Sequence, residues 1–420
     1  MKLRKTAGTW TAGEDFKDRN GGRTMSCVIF GAGKIARGFI GHLLFLSGIP
    51  FVFIEKSRPL VDLINERGAY TVQILGNPDR SCVVKNVRAL GYDEKDKTAE
   101  AIADADVVFH AVGGKNLEEI LSCLAAGIEK RVSRGTVGKL NIVACENWKK
   151  PADIVREGVL RLLSPQAQEW FREYAGCTEA VILRSAIEPE PEQLKEDPLM
   201  VNVQDYWELH VDASRLKGKL PDIEGLHLIE EFGGFLERKF YTYNAANGSV
   251  SYLGAMLGYT ILAEAAHDER ILRILEGVYS ETARALCAKY GMDLQEQMEF
   301  TRGSLAKLQN YVIVDKIERN ARDPLRKLGP DDRLVGSARL VESYGIVPEN
   351  LCTAIAAAIY YTNDEDPSAA ELKRLRTEKG VDYVLENICK LDPEGSLAER
   401  IKEKIQELKE LGYIQDEKEG

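Results

Sequence analysis

Lys239 is followed by Asn244 and Asn247, five and eight residues later, inside an aromatic run that holds Phe235, Phe240, Tyr241 and Tyr243. Aromatic neighbours strip water from an amine, penalise its charged form and lower its pKa. A lysine tuned in this way can take the proton of an alcohol near neutral pH. Asparagine amide N–H groups can hold the oxygen that gains negative charge while hydride leaves the adjacent carbon. The same spacing also suits a solvated lysine at a helix start with asparagines in the turn.

A second set of residues, Val28-Ile-Phe-Gly31-Ala-Gly33-Lys-Ile-Ala36-Arg-Gly38, carries an apolar run, a glycine turn and a helix start. It is followed by the apolar run Phe51-Val-Phe-Ile that ends on Glu55, 22 residues past Gly33. This spells the first βαβ unit of a dinucleotide-binding sheet. Gly31 permits the tight turn, and Gly33 lets a pyrophosphate approach the backbone at the helix N-terminus. Ala36 takes the third position, which serves packing. The expected cofactor contacts are Gly31, Ala32, Gly33, Lys34 and Ile35 in the turn, Glu55 on the ribose hydroxyls, and Val112, Gly113 and Asn147 at later strand ends. Glu55 repels a 2′-phosphate and points to NAD, although Lys56 and Arg58 beside it leave NADP open.

These residues need a frame. The chain has 420 residues, a net charge of −10 and a pI near 5.3, which argues against nucleic acid as a partner. Eight scattered cysteines without a CxxC pair point to free thiols in a reducing, cytoplasmic setting. The five histidines show no ligand spacing, so no metal site is expected. Residues 1–24 lack the apolar core of a signal peptide and read as a disordered extension. Apolar runs are too short or too interrupted for a membrane span.

From 26 to 147, strands (26–30, 50–55, 84–90, 105–111, 139–144) alternate with helices, the pattern of a parallel doubly wound sheet. Strand signals continue to 211, and residues 212–228 read as a loop. Beyond 228 the periodicity is helical. The fold class is therefore α/β: a Rossmann-type domain over 25–228, then an all-helical substrate and catalytic domain over 229–420.

Five blocks resemble the polyol-specific long-chain dehydrogenase family: GAGKIARGFIG, ACENWKK, ERKFYTYNAANGSVSYLG, DPLRKLGPDDRL, and Ala354–Ile359 with Asp364–Pro367. They run in family order over nearly the whole chain from Met25. The resemblance implies metal-independent, NAD-dependent interconversion of a sugar alcohol phosphate and a keto sugar phosphate, D-mannitol 1-phosphate and fructose 6-phosphate being the closest pair. It implies that Lys239 is the general base in oxidation and the general acid in reduction. It also implies that Asn244 and Asn147 polarise the reacting oxygen, and that Gly31, Gly33 and Glu55 hold the nucleotide.

Three positions depart from the family pattern. Asn247 stands where the family has a substrate-binding histidine. Lys307-Leu-Gln-Asn310-Tyr311 replaces an arginine-phenylalanine-x-asparagine-proline motif. Leu183 replaces an acid before Arg184. All three are expected around the substrate. Arg326, Arg333 and Lys327 form a candidate phosphate site, because arginine forks suit phosphate; a turn in which Asp323, Asp331 and Asp332 neutralise them fits the same residues. A free polyol, a sugar acid of the fructuronate type, a modified sugar, or a non-catalytic NAD sensor are the rival readings. The partner is a small molecule. The amphipathic stretch Leu397–Leu411 leaves monomer and homodimer equally open.

Overall fold

The structure, a computed structural model, describes residues 25–146 and 150–415. The expected N-terminal extension and Asn147 lie outside the described residues. The chain divides after Phe232 into two units, each with its own core.

In the first unit, β1 (Cys27–Phe30), β2 (Phe51–Glu55), β5 (Ala89–Gly91), β6 (Val107–His110), β7 (Leu140–Ala144) and β8 (Ala175–Val181) run parallel. With β11 (Leu209–Asp212), antiparallel to β8, and β12 (Leu226–Ile229) they form one sheet in the order β12-β11-β8-β7-β6-β1-β2-β5. The strand order turns around between β1 and β6, the position at which open α/β sheets bind ligands beyond the carboxyl strand ends. The central strands β1, β2 and β6 are apolar up to their carboxyl ends, where Glu55 and His110 stand, because both faces are covered. Cys27, Ile29, Phe53, Val107 and Phe109 pack on one side, and Val28, Phe30, Val52, Ile54 and Val108 on the other.

A second sheet, in the order β4-β3-β10-β9, comprises β3 (Ala69–Leu75), β4 (Cys82–Lys85), β9 (Ala186–Ile187) and β10 (Val201–Gln204). The strand expected over 84–90 is thus two strands in different sheets. Asn86, with φ of 58°, turns the chain between them. Residues 226–229 pair with β11 instead of ending a loop. Helices Pro151–Leu162 and Pro165–Tyr174 fill the interval before β8.

The small sheet packs on the helix that follows the glycine turn. A Cβ on Gly38 would stand 2.6 Å from Val203 Cγ1 and 2.8 Å from Val201 Cγ1, so no larger residue fits there without movement.

The second unit is helical. Its centre is Ala245–Met256, with Tyr252 and Leu253 fully buried, packed on Glu269–Tyr290, Ile317–Ala321 and Glu349–Ile359, with Val335–Ser343 and Ser396–Glu410 beyond them. Among the described residues no helix is long and apolar enough to cross a membrane.

Candidate active site

The glycine turn has the shape a dinucleotide needs. Gly31 adopts φ of +84°, and a Cβ there would lie 2.9 Å from the Ala111 carbonyl. A Cβ on exposed Gly33 would meet nothing within 4 Å, so the backbone is open on that side. The buried Arg37 guanidinium donates to the Ala32 carbonyl and to the Leu199 carbonyl, bracing the turn from below. Glu55 accepts the Ala32 amide at 2.7 Å and the Ser57 amide at 2.9 Å. A carboxylate has lone pairs to spare beyond these two bonds and can take ribose hydroxyls as well. Lys34, by contrast, extends to Glu188 at the surface.

The two cations next to Glu55 are already engaged. Lys56 bonds Asn116 and Glu119, and Arg58 pairs with Asp62, Asp93 and Glu94. Neither is left as an unpaired partner for a 2′-phosphate.

Beyond β6 and β7 lies a cleft lined by Ile35, Ala111, Gly113, Cys145, Glu146 and Ile182. The Glu146 carboxylate stands at the Cys145-Glu-Asn147 strand end, where the sequence assigns the acid no role. It accepts the Val112 amide at 2.7 Å and the Gly113 amide at 3.0 Å, and its Oε1 lies 3.3 Å from His110 Nδ1. The expected cofactor residues Val112 and Gly113 therefore shape this turn while their N–H groups are spent on Glu146. The acid in ACENWKK, at a strand end, is the signal that could have found it.

In the second unit, Lys239 closes the helix Phe232–Lys239, which continues without a break through a π-helical turn, Phe240–Asn244, into Ala245–Met256. The π turn decides which side chains share a face. In a regular α-helix eight residues advance about 800°, leaving Asn247 about 80° away from Lys239. A π turn advances only about 82° per residue, which brings Asn247 within about 10° and Asn244 within about 50° of Lys239. Lysine and both asparagines thus line one stripe.

The helix is held in register by Leu294–Leu308. Gln297 bonds Arg238 at 2.6 Å and Thr242 at 3.0 Å, and Tyr243 packs edge-on against Phe300.

Arg333 crosses the same stripe. A Cβ on Gly248 would stand 3.0 Å from its Cδ, and its guanidinium lies over the Phe240 ring at 5.9 Å. Lys239 accordingly has its pKa lowered, first by burial and then by the Arg333 charge. Among the described residues no carboxylate pairs with it. Lys307 is brought down to about 8 by burial and by Lys239, and Lys327 to about 7 by burial and by Arg333 and Arg326.

The candidate phosphate residues divide. Arg326, half exposed, is held by Asp323 at 2.7 Å and Asp332 at 3.0 Å. Arg333 shares Asp332 at 3.0 Å. Lys327 is buried and donates to the Asn320 carbonyl. The neutralising turn therefore describes Arg326 fully and Arg333 in part, with Asp331 taking no part in their ion pairs; Arg333 still acts on Lys239, and Lys327 shares Asn320 with Asn247. Asn247 donates Nδ2 to Asn320 Oδ1 at 3.1 Å.

Two family models cover this architecture: the mannitol dehydrogenase Rossmann domain matches residues 25–225, and the mannitol dehydrogenase C-terminal domain matches residues 232–409. The chain belongs to the mannitol dehydrogenase family. The fold is also that of a Pseudomonas fluorescens mannitol 2-dehydrogenase solved with NAD and D-mannitol, at 14% identity, TM-score 0.67, over 93% of this chain and 92% of that one. A D-sorbitol dehydrogenase in substrate-free form matches at 14% identity, TM-score 0.77, over 95% of this chain and 96% of that one.

Of the three departures from the mannitol dehydrogenase family pattern, Asn247 and Lys307 lie by Lys239. The third, Leu183, precedes Arg184, and Arg184 is engaged within the first unit. It is buried between the Phe39 and Trp207 rings, donates to the Gly38 carbonyl at 2.9 Å and lies 3.0 Å from His42 Nδ1. Its charge is consumed in packing helix and small sheet together.

Proposed function

We propose that this member of the mannitol dehydrogenase family is an NAD-dependent polyol dehydrogenase whose substrate carries a phosphate, interconverting D-mannitol 1-phosphate and fructose 6-phosphate. The observation that carries the reading is Lys239: a desolvated amine with a depressed pKa, no carboxylate partner among the described residues, and two asparagines on its helix face.

NAD supplies the hydride acceptor. It fits the open backbone at Gly33, the carboxylate at Glu55 and the absence of an unpaired cation beside it. In oxidation the neutral Lys239 amine removes the hydroxyl proton, and in reduction the ammonium returns it. The Asn244 side chain, unbonded among the described residues, offers N–H groups to the oxygen that gains charge. Asn147, next to Glu146 in the chain, is assigned the same role from the family pattern. What supports the phosphate reading is the run of neighbouring cations: Arg333 and Lys307 each interact with Lys239, Lys327 interacts with Arg333, and a bound dianion would relieve their mutual repulsion.

The test is turnover of D-mannitol 1-phosphate against free mannitol, followed by NADH absorbance. The expected kcat/KM ratio favours the phosphate by about 100-fold or more, in line with charge-assisted contacts. Lys239→Met should lower kcat by at least about 1,000-fold while NADH still binds. Equal use of free mannitol would overturn the phosphate assignment, and an active Lys239→Met protein would overturn the mechanism.

A further inference from the structure

We propose that Asn320 is a positioning residue that fixes which atom Asn247 shows the substrate, so that the site demands a hydroxyl there and turns away an anionic oxygen. The inference builds on the polyol reading of the Lys239 site. Its basis is the direction of successive hydrogen bonds.

The carbonyl oxygen of Lys316 can only accept, so the Asn320 amide nitrogen must face it, at 3.0 Å. Asn320 Oδ1, also only an acceptor, is thereby turned to Asn247 at 3.1 Å. Asn247 must answer with Nδ2. Its Oδ1 is then the atom left over, and among the described residues it has no partner. The network, and not the electron count of the amide, makes this assignment.

The platform under Asn320 is firm. Its backbone carbonyl accepts the buried Lys327 amine. Its helix, Ile317–Ala321, is tied down by the Tyr252 hydroxyl on the Ala321 carbonyl at 2.9 Å and by the Ile317 amide on the Thr260 carbonyl at 2.9 Å. Flipping Asn320 would break its bonds to Lys316 and Asn247 together.

An outward-facing amide oxygen has a definite chemical preference. A substrate hydroxyl can donate to it, whereas a carboxylate or phosphate oxygen without a proton is repelled. A histidine at this position could donate or accept according to its tautomer; this asparagine, as held, can only accept. Asn320, not Asn247 alone, therefore sets the selectivity at this point.

The experiment compares Asn320→Ala, Asn247→Ala and the double variant on a hexitol or hexitol phosphate and on the matching hexonate. Asn320→Ala should raise KM for the polyol about tenfold, with a smaller change in kcat and none in KM for NAD. It should also narrow the preference for polyol over acid, because a freed Asn247 can offer Nδ2. In the Asn247→Ala background the Asn320 change should add nothing. Additive losses, or an unchanged polyol-to-acid ratio, would overturn the proposal.

If the wild-type protein turns over no polyol at all, the catalytic reading fails by itself. The positioning claim is then read from the Asn247 side-chain amide resonances in nitrogen-15-labelled protein, assigned by their loss in Asn247→Ala. They must shift in Asn320→Ala; unmoved resonances refute it.

Discussion

A lysine serves as a base only while neutral, so the position of its pKa sets the working pH. Burial and the Arg333 charge both push Lys239 down. Oxidation needs the free amine, so its rate rises as pH passes the lysine pKa; reduction needs the ammonium and falls through the same point. Arg333→Met removes a positive neighbour, stabilises the ammonium and raises that pKa. The alkaline-rising limb of kcat for oxidation should move to higher pH, and reduction should persist to higher pH. Profiles measured in both directions decide this, and a limb that stays put or moves down would exclude Arg333 as the tuning charge. The sequence held this residue among three candidate phosphate ligands, and local spacing could not separate them. Arg326 and Arg333 are both near acids in the chain, but only folding shows that Asp323 and Asp332 hold Arg326 at the surface while Gly248 makes room for Arg333.

Helix phase explains why the spacing of Lys239, Asn244 and Asn247 was suggestive but not decisive. Five and eight residues do not fall on one face of an α-helix, and nothing local in Phe240–Asn244 announces a π turn. The turn is a tertiary result, fixed by the bonds of Gln297 to Arg238 and Thr242. Gln297→Ala releases Arg238 and Thr242 and should let the turn relax to α-helix at unchanged length, rotating Lys239 away from Asn247 by roughly 80–90°. Activity should fall at least about 100-fold, while helical circular dichroism and NADH binding remain. Retained turnover would mean that the shared stripe is not the catalytic arrangement. The sequence reading also missed β3, which pairs on one side with the nearby β4 and on the other with a distant strand. Residues 69–75 alternate cleanly, yet their sheet is completed by β10, over a hundred residues later. In contrast β1, β2 and Glu55, whose βαβ unit is local, stood out at once.

At the scale of the molecule, the order of a doubly wound sheet followed by helices was legible because each part closes its own core from contiguous sequence. That separation has an energetic consequence. In the second unit the buried Glu281, on Glu269–Tyr290, accepts the Asn350 amide at 2.8 Å, the Asn350 side chain at 2.7 Å and the Leu351 amide at 3.1 Å. It caps Glu349–Ile359, a helix that is buried along most of its length. Burial raises the Glu281 pKa, so its ionised form is held in place by these donors at some cost. Glu281→Ala strands three donors in a dry interior and should cost about 3 kcal/mol, lowering Tm by roughly 6–12 °C. The glycine turn, Glu55 and Glu146 belong to the other unit and share no partner with Glu281. NADH affinity measured well below the transition should therefore stay within about twofold, since distant sites without shared partners act independently. Calorimetry and NADH fluorescence titration on the same preparation test both halves. A parallel loss of NADH affinity would show that the nucleotide site depends on the helical unit for its shape, and an unchanged Tm would show that the cap contributes nothing to the helical core.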